Sequence, residues 1–300
     1  MASDGAEVFR AERHRLFGLA YRLLGSASDA EDMLQVAFEK WIATEQEVAA
    51  PAAWLTTVVT NLCLRLLGSV HRQRERYTGT WLPEPVLSND GALGPLETVE
   101  QRESVSFALL VLMERLTAAE RAVFVLREAF GYRYADIAGT LSRPEASCRQ
   151  IYRRARQRLG TPARRFMPEP GQWRVLTERF LAAARDGDIA GLERLLAADV
   201  VSWTDGEGGD LPFAREPVVG RSRVALFFTR LYRIYAADVE LSIAEANGQP
   251  AVLAWRGDTL LAVLIPEFGA TGITGIPIVA NPGKLAFAVR QLAVTKSRPG

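Results

Sequence analysis

Arginine and glutamine side chains repeat along one face of a basic segment near the middle of the chain. The candidate residues of this face are Ala146, Arg149, Gln150, Arg153 and Arg154. An arginine can pair bidentately with guanine O6 and N7, a glutamine can pair with adenine, and further arginines can neutralise phosphates. From residue 149 to residue 165 the chain has seven arginines and no acidic residue. The pattern favours reading of duplex DNA, although a solvated basic face on a structural helix would show the same spacing.

Two short helices joined by a tight turn are predicted to position this face. The expected buried side of the first helix holds Tyr134, Ile137, Ala138 and Leu141, and that of the second holds Cys148, Ile151, Tyr152, Ala155 and Leu159. The intervening residues 142–145 have the S-x-x-E form of a capping box, with a proline in the first turn. Two such helices, the second basic on its free side, are what a helix-turn-helix requires.

Composition limits the class of protein but does not identify it. The chain has 300 residues, of which 48% are hydrophobic and 24% charged, and its net charge is +1. This is globular composition with room for two or three domains. The two cysteines and two histidines have no ligand-like spacing, so we expect no disulfide, metal or cofactor. Without a disulfide framework, the reducing cytoplasm is the expected location. We also expect no signal peptide and no membrane span.

Breaks in the helical pattern divide the chain. Residues 7–76 and 98–160 have helical periodicity, whereas residues 77–97 and 162–171 are rich in proline and glycine. Ser28 is a candidate N-cap for a helix with acidic first-turn residues. Beyond residue 172, two helices precede a third helix at 221–234 and strand-like stretches at 200–203, 238–243, 251–255 and 259–265. The C-terminal part is therefore predicted to be α+β.

Three segments in order resemble the bacterial extracytoplasmic-function sigma factors of the sigma-70 family. Residues 29–41 (DAEDMLQVAFEKW) resemble their region 2.2, residues 51–65 resemble regions 2.3–2.4, and residues 116–156 resemble region 4. The resemblance implies a sigma factor that binds core RNA polymerase and directs it to promoter DNA. Without it, the acidic residues of the first segment would be taken for a helix cap and a wet face.

The resemblance also implies residue roles. The polymerase-binding candidates are Asp29, Asp32, Gln35 and Glu39. The candidates for binding the promoter −10 element are Asn61, Arg65, Arg72 and Arg74, and the helix-turn-helix would read the −35 element. Trp54, Leu55 and Leu62 are expected in the core.

A proline-rich motif points to one subgroup. Residues 81–85 (WLPEP) resemble a linker signature of those sigma factors that carry a fused C-terminal SnoaL/NTF2-like domain, and residues 180–201 are similar to the start of such domains. The subgroup's two further motifs correspond here to Asp205 and Gly206 and to Asn281, Pro282 and Lys284. Glu207 and Gly283 depart from these motifs, and two surface turns are the alternative interpretation.

The predicted fold class is multidomain: two all-α sigma domains, a region 2 helical bundle and a region 4 helix-turn-helix, followed by an α+β SnoaL/NTF2-like cone. The predicted boundaries are 1–78, a linker at 79–105, 106–165 and 166–300. We predict no catalytic residues and expect the last domain to regulate the others by intramolecular contact. The alternatives are a DNA-tethered enzyme or ligand sensor, with a small ligand in the cone and Asp205, Asp258 or Glu267 as its acid, and a transcription factor that does not use core polymerase.

Overall fold

The structure is a computed structural model that describes residues 2–45, 48–74, 77, 79–88, 91–93, 99–160, 170–209, 216–235 and 237–296. At the helix ends 2–4, 70–74, 99–101, 170–171 and 295–296, only the backbone is described. The chain forms two compact units, the first comprising residues 1–76 and 88–161 and the second residues 77–87 and 162–300. The predicted boundaries at 78, 105 and 165 stay a prediction.

Eight helices of the first unit are described. They are α1 (Ala2–Leu24), α2 (Ala27–Ile42), α3 (Pro51–Arg74), α4 (Val99–Val105), α5 (Phe107–Met113), α6 (Ala118–Glu128), α7 (Tyr134–Leu141) and α8 (Glu145–Leu159). Helices α1, α2 and α3 pack around a core in which Leu16, Leu19, Leu55 and Val59 are fully buried. Burial of these apolar faces stabilises the bundle, since each fully buried leucine contributes roughly 1.5–3 kcal/mol.

The N-cap of α2 is Ser26, so the prediction of Ser28 was wrong. The side chain of Ser26 accepts a hydrogen bond from the backbone N–H of Asp29, whereas Ser28 lies inside the helix. A serine two residues earlier in the chain could make this bond because Gly25 has a positive φ of 67°, which ends α1 abruptly.

The second unit combines a seven-stranded sheet with helices. Its elements are α9 (Pro170–Asp186), α10 (Ile189–Leu195), β1 (Leu196–Asp205), β2 (Val218–Val219), α11 (Arg221–Tyr235), β3 (Glu240–Ala246), β4 (Gln249–Arg256), β5 (Thr259–Leu264), β6 (Glu267–Gly269), β7 (Gly272–Val279) and α12 (Pro282–Lys296). The sheet order is β2-β1-β7-β5-β4-β3, with β6 paired to β7. The strand β7, which the sequence analysis missed, lies in the middle and runs parallel to β1.

Candidate nucleic-acid interface and linker clamp

The predicted DNA-reading face of α8 is exposed. All five of its candidates, Ala146, Arg149, Gln150, Arg153 and Arg154, are exposed. Arg149 is already engaged, because its guanidinium lies 2.5 Å from the Glu145 carboxylate and over the Tyr134 ring. Gln150, Arg153 and Arg154 make no side-chain hydrogen bond or ion pair within the described ranges. These three are therefore available to a duplex without breaking an internal contact.

The opposite side of α8 packs into the unit as predicted. Cys148, Ile151, Ala155 and Leu159 are buried. Tyr152 is half-buried and donates a hydrogen bond to Glu128, and burial is the main reason why its pKa is raised. The turn before α8 differs from the prediction: Ser142 ends α7 in the left-handed conformation (φ 50°), and Pro144 is the N-cap without a side-chain bond. The predicted capping box at Ser142 was wrong.

A capping box is present two helices earlier. Thr117 and Glu120 exchange side-chain to backbone hydrogen bonds at the start of α6. Glu120 also accepts from Arg158 at 2.6 Å, which joins α6 to the end of α8. The sequence signal was present, since Thr117 and Glu120 have the T-x-x-E spacing.

Three of the four polymerase-binding candidates share an exposed stripe of α2. Asp32, Gln35 and Glu39 are exposed, and the Gln35 amide donates to the Glu39 carboxylate at 3.1 Å. Asp29 is half-buried in the first turn, where its charge helps to raise the pKa of the buried Cys63 thiol, after burial itself. The exposed stripe of α2 therefore consists of Asp32, Gln35 and Glu39, without Asp29.

The four candidates on α3 for binding the −10 element differ in their exposure to solvent. Arg65 is exposed and Asn61 is half-buried. Arg72 and Arg74 are helical, but their side chains lie outside the described residues. Of the three expected core residues, Leu55 is fully buried, whereas Trp54 and Leu62 are half-buried. Trp54 packs against Trp41 with ring centroids 5.4 Å apart, which joins α3 to α2.

The helices of the two predicted sigma regions contact each other inside the first unit. Arg15 of α1 donates to the Tyr132 hydroxyl at 3.2 Å and to Thr56 of α3 at 2.9 Å. The Thr56 and Tyr132 hydroxyls are also 3.2 Å apart. Tyr132 lies just before α7, so this triad joins the region 2 bundle to the helix-turn-helix. No periodicity in the sequence marks these residues as partners.

Two buried arginines extend that contact. Arg22 on α1 donates to Ser104 Oγ at 3.0 Å, and burial lowers its pKa to about 10. Its backbone carbonyl accepts from Arg121 of α6, whose other guanidinium end lies 2.6 Å from Glu114. Charged groups that are buried in this way must be hydrogen-bonded to be tolerated, so they fix the packing geometry.

The motif residues of the second unit surround one buried carboxylate. Asp205, at the end of β1, has a fully buried side chain that lies 2.5 Å from the Lys284 ammonium. It also accepts from the Tyr77 hydroxyl at 2.5 Å and the Leu82 backbone N–H at 2.8 Å. The Asn281 amide donates to the Tyr77 hydroxyl at 3.0 Å. The alternative interpretation of this motif as a surface turn is therefore wrong for Asp205.

Lys284 also binds the proline-rich motif directly. Its ammonium donates to the Leu82 carbonyl at 2.6 Å and lies over the rings of Tyr77 and Trp81, 4.9 and 4.3 Å from their centroids. Gly206 follows Asp205 in the loop, and Pro282 begins α12, so these two motif residues shape the backbone around the charged pair.

Two further side chains hold residues 86 and 87. Asn247 accepts from the Val86 N–H at 3.1 Å and its own N–H donates to the Val86 carbonyl at 2.8 Å. Gln291 likewise exchanges two hydrogen bonds with the backbone of Leu87, at 2.8 and 3.0 Å. We call the set of Asp205, Asn247, Asn281, Lys284 and Gln291 the linker clamp. Asn247 and Gln291 were not predicted as partners of the linker, because the dipeptide Asn247-Gly248 indicates only a turn; in the structure Asn247 does have a positive φ of 55°.

The described part of the chain can be compared with the side-chain groups that bind metal ions and with the helices that cross membranes. No three His, Cys, Asp or Glu side chains there form a group that could hold a metal ion. No described helix is both long and apolar enough to cross a bilayer.

Comparisons with known proteins bear on both units. The sigma-70 region 2 family matches residues 8–74 and the sigma-70 region 4 family matches residues 106–159. The chain is 39% identical over 291 residues to the ECF RNA polymerase sigma factor SigJ of Mycobacterium tuberculosis, covering 96% of this chain and 86% of that protein. It is 34% identical to the probable ECF RNA polymerase sigma factor SigI of the same species, covering 93% of each.

A solved structure resembles the whole chain. The crystal structure of M. tuberculosis SigJ superposes with a TM-score of 0.74 at 32% identity and covers 94% of this chain and 98% of that one. The predicted fold class, two all-α sigma domains followed by an α+β domain, is confirmed.

Proposed function

The chain belongs to the extracytoplasmic-function RNA polymerase sigma factors, and from that premise we propose that its C-terminal domain regulates it by holding the linker between regions 2 and 4. A sigma factor acts in promoter-specific initiation with RNA polymerase, so the partners in general are core polymerase and DNA. The control of that activity by the C-terminal domain is our proposal.

The linker clamp is the observation that carries the proposal. Residues 77–87 lie between the end of the region 2 match at 74 and the start of the region 4 match at 106. Backbone groups of Leu82, Val86 and Leu87 are bound by side chains of the C-terminal domain. A linker tethered at several points has fewer conformations than a free one, so the clamp restricts how far regions 2 and 4 can part.

We assign the contact surfaces as follows. Core polymerase binds the α2 stripe of Asp32, Gln35 and Glu39, with Asp29 contributing from the first turn. The −10 element binds α3 through Asn61, Arg65, Arg72 and Arg74, where melted bases meet cationic surroundings. The −35 element binds the exposed face of α8 in the major groove. This assignment places the protein in the cytoplasm with its polymerase.

Catalysis by the C-terminal domain is not supported by its acids. Asp205, the last residue of β1, already forms an ion pair with Lys284 and a hydrogen bond to the linker. Trp255 donates a hydrogen bond from its indole N–H to the Ser242 hydroxyl on the neighbouring strand. An acid–base site would need a carboxylate or histidine facing a substrate pocket, so we propose that the domain is regulatory.

Run-off transcription with purified core polymerase and the full chain tests the regulation. Gln291→Ala removes two hydrogen bonds to Leu87, and Gln172→Ala is the matched control because Gln172 is exposed on α9. We expect Gln291→Ala to change promoter-specific output at several protein concentrations, and the control to transcribe as the parent does. Equal output from all three proteins contradicts control through the linker.

A further inference from the structure

The second unit contains an apolar cavity that the linker clamp does not use. It has a volume of about 70 Å³ and lies between helices α9 and α11 and the strands β3, β4 and β5. Its wall includes Phe180, Phe228, Tyr232, Ala254 and Ala262. Protein interiors are close-packed, and a space that holds one water molecule needs only ~10–15 Å³. The cavity is therefore several times larger than an ordinary packing defect.

Small residues keep the cavity open. Ala184 on α9, Ala254 on β4 and Ala262 on β5 all line it, and each is nearly fully buried. A leucine or valine at any of these positions would fill part of the space, and filling a void normally stabilises a core. Leu241, which is 37% exposed, also lines the cavity, so the space reaches solvent along β3.

The wall chemistry selects the class of ligand. Among the described residues that line the cavity, none is charged, and only Tyr232 and Tyr235 carry a polar group in the side chain. A charged ligand would lose its hydration there without a compensating partner, whereas an apolar one would replace poorly bonded water. We propose that this cavity, which opens to solvent beside Leu241, binds a small, uncharged, predominantly apolar molecule.

This inference is independent of the linker clamp. No clamp residue lines the cavity: Asp205, Lys284 and Gln291 all act on the linker. A failure of the transcription experiment above would leave the binding site standing, and a failure to bind ligand would leave the clamp standing.

Ligand-detected NMR on the full chain tests the site, with toluene and benzoate as probes. The two probes have similar size but differ in charge. We expect saturable binding of toluene with a rise in the thermal midpoint, and benzoate binding at least about tenfold weaker. Absence of saturable toluene binding, or equal affinity for benzoate, would overturn the proposal.

Cavity-filling variants locate the binding. Ala254→Leu should weaken toluene binding by about tenfold or more, whereas Ala198→Leu, at an exposed position of β1, should bind as the parent does. If Ala254→Leu fails to fold, the smaller change Ala262→Val should still weaken binding measurably. A folded filled variant with parental affinity would place the toluene elsewhere and contradict this site.

Discussion

The Lys284 ammonium lies 2.5 Å from Oδ2 of Asp205, whose side chain has no exposed surface. The carboxylate is also bound by the Tyr77 hydroxyl and the Leu82 N–H, so its charge is compensated from three directions. A buried ion pair of this kind is costly to break, because the remaining partner keeps a desolvated charge. The pair therefore makes binding of the linker depend on both motifs of the C-terminal domain.

Replacing Lys284 by methionine should destabilise the protein and loosen the linker. Breaking a buried pair by removing one partner costs about 3–5 kcal/mol in unfolding free energy. The backbone N–H of Leu82 donates a hydrogen bond to Asp205, so its hydrogen exchange should be faster in the variant than in the parent.

Arg256→Met is the matched control for Lys284→Met, because Arg256 forms an exposed pair with Asp238 at 2.9 Å. Exposed pairs contribute roughly 0–1 kcal/mol, so this variant should unfold nearly as the parent does. Similar losses in the two variants would mean that the Lys284 pair has no special role.

Tyr77 should make the clamp sensitive to alkaline pH. Burial, followed by the hydrogen bond to Asp205, raises the pKa of its phenol. The unfolded chain loses this proton near pH ~10, whereas the folded chain retains it. The stabilisation is therefore complete below that pH and is lost as the pH rises toward the raised pKa.

Urea unfolding between pH 8.5 and 11, compared between the parent and Tyr77→Phe, measures this contribution. The difference between their unfolding free energies should shrink as the pH rises. A difference that stays constant over this range would show that Tyr77 does not titrate with unfolding.

The periodicity of apolar residues predicted most helices of the structure. Prediction from neighbouring residues failed for elements whose partners are distant in the sequence. The buried side of α8 follows from the spacing of Cys148, Ile151, Ala155 and Leu159. The strand β7 was missed because Gly272, Gly275 and Pro277 weaken a strand pattern, although its parallel pairing with β1 provides a partner that no local signal reveals.

The linker clamp shows the same limit for a site. Asp205 and Lys284 were each identified through motifs, but their contact joins residues 79 positions apart. Gln291 lies 204 positions from Leu87, and a glutamine on an amphipathic helix carries no signal of that distance. Contacts between a side chain and a backbone group far away in the sequence can be recognised only once the folded sheet is known.

Arg15→Ala should weaken the contact between the region 2 bundle and the helix-turn-helix. Arg15 joins Thr56 and Tyr132, and hydrogen bonds to a charged group contribute about 1.5–3 kcal/mol each when they are well shielded. Because Arg15 is partly exposed, we expect the lower end of that range in unfolding free energy.

Distance measurements between spin labels on α3 and α8 of the parent and Arg15→Ala test the contact directly. The variant should populate longer distances than the parent. Arg10→Ala on the same helix is the control, since Arg10 is exposed and takes no part in the triad. Identical distributions for all three proteins would remove Arg15 from the contact.

Both cysteines should be inert in the folded protein. Cys63 and Cys148 are fully buried, and burial is the main reason why the pKa of each thiol is raised. The thiolate is the reactive form, so labelling with a disulfide reagent should await unfolding. Rapid labelling of either thiol under native conditions would show that its part of the first unit opens locally.

Arg153→Ala should cost more promoter affinity than Arg149→Ala. Both side chains are exposed on α8, but Arg149 must leave Glu145 and the Tyr134 ring before it can reach a base or phosphate. An arginine that contacts a base edge contributes about 1–3 kcal/mol to binding and to specificity at one position. Breaking the exposed Arg149–Glu145 ion pair costs roughly 0.2–1 kcal/mol, which reduces the contribution of Arg149 to the binding free energy by that amount.

Binding of the reconstituted polymerase to promoter fragments with single −35 substitutions measures these effects. Arg179→Ala, at an exposed position of α9 in the other unit, is the matched control and should bind every fragment as the parent does. If Arg153 reads a base, its variant loses discrimination at one position; if it contacts phosphate, affinity falls uniformly and the salt dependence becomes shallower. Parental affinity and specificity in the Arg153 variant would exclude that side chain from the DNA interface.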